Sequence, residues 1–183
     1  CTVDVYRSFE EERLGVDFGS KKSFETFKER YSSRNGLTGF HVGEDTKSSR
    51  AALSMYDKQL ERNMKGIEID FPWTRYETNS FPKGLLLKNL HLICNHTPFS
   101  NIKRYHIEFI SPSLTDHALL ERFYKFKALV EASNFWWAKR ELNTNRNFER
   151  DYGSFYKRIE LQPSLDEIFQ ESIRRYFSQG GIQ

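Results

Sequence analysis

The 183-residue chain carries 28 Lys and Arg against 25 Asp and Glu, for a formal net charge of +3, and 15% of its residues are aromatic. This length suits one domain with a substantial core, the aromatic content excludes a disordered chain, and the small positive charge permits contact with nucleic acid without requiring it. The only cysteines are Cys1 and Cys94, which excludes a disulfide framework and a cysteine-rich zinc site.

Membrane and targeting signals are missing from the sequence pattern. No apolar run reaches the roughly 18 residues that a membrane span requires, and the first residues do not resemble a signal segment. We therefore expect a soluble, cytoplasmic protein with no membrane partner. Since Cys1 leads at once into a predicted strand, we expect the chain to be a fragment whose N-terminal elements are missing.

The first third of the chain predicts a strand followed by a helix. Residues 2–6 alternate in the manner of a strand, which places Val3 and Val5 on one face and Asp4 on the other. Residues 23–31 predict a short amphipathic helix, because aromatic side chains recur there at helical spacing behind a serine.

Residues 37–43, 50–58 and 73–80 predict three adjacent strands of one sheet, because extended apolar patterns alternate there with polar turns. Residues 85–93 predict a buried helix, and residues 104–110 predict a further strand.

From about residue 113 helical patterns dominate. The clearest helix ends the chain over residues 163–177, with Pro163 and Ser164 at its start and arginines near its end. Strands first and helices later indicate an α+β fold in a single domain of residues 1–183. We expect an antiparallel-rich central sheet that carries the active site, helices packed behind it, and a mainly helical C-terminal part.

Residues 50–58 form the strand with the most suggestive face. Side chains two residues apart share a face, so Ala52, Ser54 and Tyr56 lie together, with Lys58 beyond them. The small residues before Tyr56 leave room for a backbone phosphate above the sheet. An ordinary strand that contains one of the nine tyrosines has the same periodicity.

The strand that begins at Trp73 places Arg75 and Glu77 on one face. Such a pair can form a weak surface ion pair, or it can offer a cation and a metal ligand to the same phosphate. Asp4 has the same two interpretations, because it is either a solvated acid or a ligand.

The phrase TGFHVGEDTKSSRAALSMYDKQLER, followed by WTRYE, resembles the replication initiation factor family. These proteins are the rolling-circle replication initiators of plasmids, integrative conjugative elements and filamentous phages. In that family a Phe or Tyr-x-Gly strand leads through a Ser-rich turn into a strand ending in Tyr-Asp or Asn-Lys. A Glu and a Trp-Arg-x-Glu-like strand follow. The resemblance covers residues 37 to about 88.

The resemblance implies a site-specific enzyme that nicks and joins DNA. Tyr56 would attack a DNA phosphate to give a 5′-phosphotyrosine link and a free 3′ hydroxyl, with Mg²⁺ or Mn²⁺ as cofactor. Asp4 and Glu77 match the metal-binding acids of the family pattern. Lys58 and Arg75 match the basic positions beside them.

The third metal ligand is left open by the sequence. Arg7 stands where many members of the family have a second early acid, and Glu61 and Asp17 are the candidates. The His-hydrophobic-His metal motif of related relaxases is missing, because His91 and His96 are five residues apart. We expect both histidines to be structural.

Residues 135–158 interleave aromatic and basic side chains. Such a segment could hold a DNA hairpin or its unpaired loop through base stacking and phosphate contacts. The basic residues that we assign to DNA binding are Lys139, Arg140, Arg146 and Arg150. The alternative is that the aromatic residues form core and the charges a solvated face.

The expected partner is origin DNA, either single-stranded or extruded as a hairpin. A host helicase and a second copy of the chain are further candidate partners. The alternative function is a non-catalytic DNA-binding module of the same fold, in which Tyr56 stacks on a base. A second alternative is an unrelated α+β interaction domain.

Overall fold

The computed structural model describes residues 1–19, 26–43, 52–79, 93–142 and 147–179. Antiparallel strands and helices are mixed along the chain, so the predicted α+β class is confirmed. In chain order the elements are β1 (Thr2–Val5), α1 (Phe9–Leu14), β2 (Val16–Asp17), β3 (Lys28–Ser32), β4 (Gly36–Val42), β5 (Leu53–Asp57), α2 (Lys58–Met64), β6 (Thr74–Thr78), β7 (Lys103–Phe109), α3 (His117–Ala132), α4 (Phe135–Glu141), α5 (Phe148–Tyr152), a 3₁₀ helix (Gly153–Phe155), β8 (Tyr156–Glu160) and α6 (Leu165–Ser178).

The larger sheet contains five antiparallel strands in the order β1, β6, β5, β4, β3. The predicted first strand corresponds to β1. The three strands predicted as neighbours correspond to β4, β5 and β6, which are adjacent in the sheet. These predictions are therefore confirmed, and β5, the strand of Tyr56, is the central strand.

A smaller antiparallel sheet contains β2, β7 and β8. The strand predicted over residues 104–110 corresponds to β7, but it lies in this second sheet rather than in the central one. The strand β8 lies in the part of the chain predicted to be mainly helical. The rest of that part agrees with the prediction, because α3, α4, α5 and α6 all follow residue 113.

The helix predicted over residues 23–31 is wrong for the residues that the structure describes, because Lys28–Ser32 form β3. This segment pairs with β4, and a bulge lies between Arg30 and Tyr31. The aromatic spacing that suggested a helix has another cause: Phe27 packs on the core, whereas Tyr31 is exposed. Tertiary pairing has overridden a short local pattern. The helix predicted over residues 85–93 lies outside the described residues except for Ile93.

One face of the larger sheet forms the main core. Side chains from β1, β4, β5 and β6 pack there with α1, α4 and α6, and the buried members include Val3, Val5, Phe9, Phe40, Met55, Tyr76, Trp136, Leu165 and Phe169. The helices α1, α4 and α6 thus cover one face of this sheet, in agreement with the prediction of helices packed behind it. The other face carries the polar residues of β1, β5 and β6.

The last helix begins where the sequence predicted a helix start. The Ser164 side chain accepts a hydrogen bond from the Glu167 backbone amide, and the Glu167 carboxylate accepts one from the Ser164 amide. This reciprocal capping fixes the first turn of α6 against the sheet. Among the described residues, no helix is both long and apolar enough to span a bilayer.

Candidate active site on the open face of the larger sheet

A single row of cross-strand neighbours crosses the open face of the larger sheet. Tyr56 of β5 is opposite Arg75 of β6 and Gly39 of β4. Asp4 of β1 is opposite Arg75 at one end of the row, and Arg30 of β3 is opposite Gly39 at the other. Directly opposed residues in antiparallel strands point to the same face. The row therefore places the phenol of Tyr56 between two arginines.

Gly39 makes the space beside Tyr56. A Cβ atom at this position would lie 2.8 Å from the carbonyl oxygen of Met55 and 2.9 Å from Cβ of Tyr56, which is too close for any side chain. Because the position must be glycine, β4 approaches β5 closely and leaves the flank of the tyrosine ring uncovered.

The hydroxyl of Tyr56 donates a hydrogen bond of 2.8 Å to Oε1 of Glu77 on the neighbouring strand. Burial, and then this bond to a carboxylate, raise the pKa of Tyr56 well above its ordinary value near 10. The phenol is therefore protonated at neutral pH, and its proton already points at a carboxylate. Such a geometry suits a nucleophile with a general base.

Arg75 connects the two acids of this face. Its Nε and Nη2 atoms donate to the two carboxylate oxygens of Asp4 at 2.7 and 2.9 Å, and its Nη1 atom lies 3.9 Å from Oε1 of Glu77. The indole Nε1 of Trp73 also donates to Asp4, at 2.7 Å. The bonds to Asp4 raise the pKa of Arg75 and keep it cationic. Asp4 is thus the anchor of Arg75.

The sequence pattern predicted that Lys58 continues the strand of Tyr56, but in the structure it does not. The strand β5 ends at Asp57, whose side chain caps α2 by accepting a hydrogen bond from the Leu60 amide at 2.8 Å. Lys58 is instead the first residue of the helix. Its Nζ atom still lies 5.5 Å from the ring centroid of Tyr56, so the predicted cation is next to the tyrosine, although it belongs to the helix and not to the strand.

Glu61 lies one turn further along α2. Its carboxylate accepts hydrogen bonds from Lys58 and Lys65. These bonds lower the pKa of Glu61 to about 2. The carboxylate of Glu61 thus holds Lys58 in place beneath Tyr56.

A cleft of about 400 Å³ opens beside the Tyr56 hydroxyl, and α2, β3, β4, β5 and β6 form its walls. Its lining residues are Arg30, Ser32, Thr38, Tyr56, Asp57, Leu60, Glu61, Met64 and Glu77. Arg30 is exposed, and we find no ion pair between its guanidinium and any described residue. An arginine without an anionic partner in a cleft is suited to bind a phosphate.

Arg30 was not predicted as a site residue, because the segment that contains it was interpreted as a helix. The signal that could have identified it is Asn35-Gly36 between two extended segments, a pattern typical of a hairpin turn. Gly36 has a φ of 70°, and β3 and β4 form the hairpin on either side of it. His41 was also left without a role. It is buried beside the site, with Nδ1 at 3.0 Å from the hydroxyl oxygen of Ser54.

The acids that the resemblance assigns to a metal are not brought together. Asp4 is bound by Arg75 and Trp73. Glu77 accepts a hydrogen bond from Tyr56, and Glu61 is paired with two lysines. Within the described ranges, no group of three His, Cys, Asp or Glu side chains could hold a metal ion. The donor set as arranged does not fit a divalent cation.

Asp17, the other candidate for the third ligand, lies on the smaller sheet. Its carboxylate is 3.9 Å from Arg158 and accepts a hydrogen bond from the Gly19 amide. It therefore stands apart from the row that contains Tyr56.

Three of the four basic residues assigned to DNA binding are described by the structure, and none of these three lines the cleft. Lys139 lies 3.6 Å from Glu149, Arg140 stacks on Trp137 at 4.7 Å, and Arg150 pairs with Asp151 at 2.9 Å. Arg146 lies outside the described residues. The assignment of these residues to DNA stays a prediction.

The aromatic residues of the same segment belong to the core. Phe135, Trp136, Phe148, Tyr152, Phe155 and Tyr156 are all buried. Trp136 packs in the main core and the other five pack with α3 in a second cluster, so their burial leaves them unavailable to stack on bases. Trp137, the seventh aromatic residue of the segment, is partly buried between Phe27 and Arg140. The alternative in which these aromatics form core is the correct one.

No protein-family model matches this chain, and a search of curated proteins finds no similar one. The resemblance to the replication initiation factor family therefore stays a prediction that rests on the quoted residues.

Proposed function

We propose that this chain is a site-specific DNA-nicking and joining enzyme that initiates rolling-circle replication, with Tyr56 as nucleophile. The observation that carries the proposal is the hydrogen bond from Tyr56 to Glu77 at the edge of an open, arginine-lined cleft. Tyr56, the Glu77 carboxylate and the Arg30 guanidinium line this cleft, and a tyrosine, a carboxylate and a cation are groups that phosphoryl transfer to a tyrosine uses.

The chemistry follows from these positions. The phenolic oxygen of Tyr56 attacks the phosphorus while Glu77 accepts its proton. The bond from phosphorus to the 3′ oxygen of the preceding nucleotide breaks, and that oxygen takes up a proton to become a free hydroxyl. Arg75 and Arg30 lie on the two sides of Tyr56, where they would stabilise the negative charge that gathers on the phosphate. One phosphodiester replaces another, so the reverse reaction rejoins the strand.

The setting of Tyr56, rather than its bond to a carboxylate, distinguishes it from the other tyrosines. Four described tyrosines donate to a carboxylate, and the pairs are Tyr31–Glu29, Tyr56–Glu77, Tyr76–Glu12 and Tyr156–Glu149. Tyr76 and Tyr156 are buried, and Tyr31 bonds to an acid of its own strand. Tyr56 alone among these four lines the cleft with Arg30.

The proposal includes the Mg²⁺ or Mn²⁺ that the resemblance implies. The arrangement of Asp4, Glu77 and Glu61 gives this requirement no support, and no step above depends on it. The test below is therefore performed both with Mn²⁺ and with a chelator.

The decisive experiment is covalent capture. The protein is incubated with single-stranded and hairpin oligonucleotides of randomised sequence, and complexes that survive denaturation are isolated and sequenced. We expect a complex whose DNA is attached to the peptide of Tyr56, as identified by mass spectrometry. Tyr56→Phe should give none, whereas Tyr31→Phe, a control that removes a hydroxyl from the same sheet, should behave as wild type. A complex that persists in Tyr56→Phe would exclude Tyr56 as the nucleophile.

A non-catalytic DNA-binding module is the second candidate. The observation that favours it is the pairing of all three predicted ligands with side chains of the chain itself. In that case oligonucleotides are retained under native conditions, but no complex survives denaturation with any sequence or metal.

A further inference from the structure

A strip of aromatic side chains leads away from the candidate active site. Phe71 and Trp73 stack with ring centroids 5.9 Å apart and an interplanar angle of 29°. Tyr6 meets the other side of Phe71 edge-on at 5.7 Å. At the opposite end, the guanidinium of Arg75 lies 5.2 Å from the centroid of Trp73. We call Tyr6, Phe71 and Trp73 the aromatic strip.

Tyr6 and Phe71 are exposed and Trp73 is partly buried, and none of the three belongs to the main core or to the second cluster of buried residues around Phe126. Tyr6 is 69% exposed and Phe71 is 40% exposed. Phe135, Trp136, Phe148 and Tyr152 of α4 and α5, by contrast, are buried. Exposed aromatic rings that lie next to one another form the kind of contiguous apolar patch that is typical of binding surfaces.

The backbone holds the strip in a fixed position relative to Tyr56. The carbonyl oxygen of Trp73 accepts hydrogen bonds from the amides of Lys58 at 2.8 Å and Gln59 at 3.2 Å. These amides belong to the first turn of α2, which follows Tyr56 after one residue. The indole of Trp73 is also bound to Asp4. The strip and the tyrosine are therefore parts of one rigid arrangement.

We propose that the aromatic strip binds the unpaired bases of single-stranded DNA next to the phosphate that Tyr56 attacks. This inference rests on the proposed function and extends it by assigning the surface on which the unpaired bases of the bound strand lie. Aromatic faces stack on bases of any sequence, and Arg75, between the strip and Tyr56, offers a cation to the backbone at the point where the strand enters the site. In a duplex the base faces are covered by neighbouring pairs, so the strip selects single strands.

Binding is measured separately from nicking. A labelled mixed-sequence strand of about 15 nucleotides, long enough for such a site, is titrated with the Tyr56→Phe protein, and fluorescence anisotropy is recorded at constant ionic strength. We expect Phe71→Leu and Tyr6→Leu each to weaken binding at least about fivefold, because they remove the ring but keep an apolar side chain. Phe71→Tyr, which keeps the ring, should bind like the parent.

The matched control is Tyr124→Leu. Tyr124 is an exposed tyrosine of α3, 58% exposed, and lies outside the strip, so its replacement should leave the affinity unchanged. A duplex of the same sequence should bind equally to all variants. Thermal unfolding of each variant verifies that the fold is retained.

Three results would overturn the inference. The first is equal affinity of the parent, Phe71→Leu and Tyr6→Leu for the single strand. The second is no binding of single strands at all. The third is much tighter binding of an RNA strand of the same sequence, which would assign the strip to a different nucleic acid. Covalent capture by Tyr56, measured independently in wild-type protein, reports whether the proposed function stands in each case.

Discussion

Two clusters on opposite faces of the larger sheet contain the same three residue types in opposite settings. On the core face Tyr76 donates to Oε2 of Glu12 at 2.9 Å, and Arg104 binds both oxygens of that carboxylate at 2.7 and 2.8 Å. On the open face Tyr56 donates to Glu77 at 2.8 Å, with Arg75 beside it. Each cluster therefore contains a tyrosine, a glutamate and an arginine.

Burial decides what each cluster can do. Glu12 is fully enclosed, and a second guanidinium forms an ion pair with it, with Nε of Arg7 at 3.1 Å, so its carboxylate has no room for a ligand. The side chain of Glu77 is 42% exposed and borders a cleft. A Tyr–Glu–Arg group is therefore structural when its carboxylate is enclosed by the protein, and it is a candidate for catalysis when a cleft opens beside that carboxylate.

The largest effect is expected from breaking the sealed cluster. Glu12→Ala leaves the buried guanidinium of Arg104 without its counter-charge and the hydroxyl of Tyr76 without its acceptor. We expect a loss of about 3–5 kcal/mol in the free energy of unfolding, measured by urea denaturation. Glu10→Ala removes an exposed acid from the same helix, paired with Arg13, and should change stability by less than about 1 kcal/mol. Equal effects of the two variants would contradict the comparison.

The matching change in the open cluster should act on rate instead. Glu77→Gln keeps the shape of the side chain but removes the base, so the rate of covalent capture should fall by about 10²–10⁴-fold. Stability should change by no more than about 1 kcal/mol, because the side chain is largely solvated. Glu29→Gln, which alters the acid partner of Tyr31, is the control and should leave the rate unchanged. An unaltered rate in Glu77→Gln would remove Glu77 from the mechanism.

A smaller effect is expected where β4 passes Tyr56. Gly39→Ala places a methyl group 2.8 Å from the Met55 carbonyl oxygen, so the strands must separate, at a cost of about 1–3 kcal/mol in unfolding free energy. Gly153→Ala is the control. Its methyl group would meet only Glu149 at 3.6 Å, and the substitution should be neutral or stabilising by up to about 1 kcal/mol. If Gly39→Ala were as stable as wild type, the close approach of β4 would be refuted.

The smallest effect concerns alkaline pH. Burial raises the pKa of Tyr76 far above its unfolded value near 10. The stability that this shift contributes is fully present below about pH 10 and is lost as the pH rises toward the folded pKa. Above about pH 10, Tyr76 should therefore reduce the free energy of unfolding by about 1.4 kcal/mol per pH unit. Tyr76→Phe should lower the slope by that amount in urea titrations at several pH values. An unchanged slope would show that Tyr76 ionises as freely as an exposed tyrosine.

Local patterns predicted most of what positions the site. Alternation identified β1, β4, β5 and β6, and it placed Tyr56, Arg75 and Glu77 on faces that do meet. It failed at β3, where aromatic spacing resembled a helix and the strand is irregular. Because β3 was not predicted, Arg30 was not recognised as part of the site.

Interactions between distant residues could not be predicted. Glu12 and Arg104 are 92 residues apart, and neither has a local pattern that marks it as buried. A charged residue on a short helix is more often solvated, so only the packing of α1 between the sheets reveals the pair. The same applies to Asp4. The family resemblance assigned it to a metal near Tyr56, whereas in the structure its carboxylate binds Arg75.

The position of Tyr56 on the central strand has a mechanical consequence. Under the proposed function, the protein linked to a strand end would be pulled whenever that DNA is unwound, and the force would enter the protein through Tyr56. β5 is hydrogen-bonded along both edges, to β4 and to β6, and its last residue is tied into the first turn of α2. Tension applied along the strand must therefore shear two ladders of hydrogen bonds together, whereas an edge strand would be held by one ladder only.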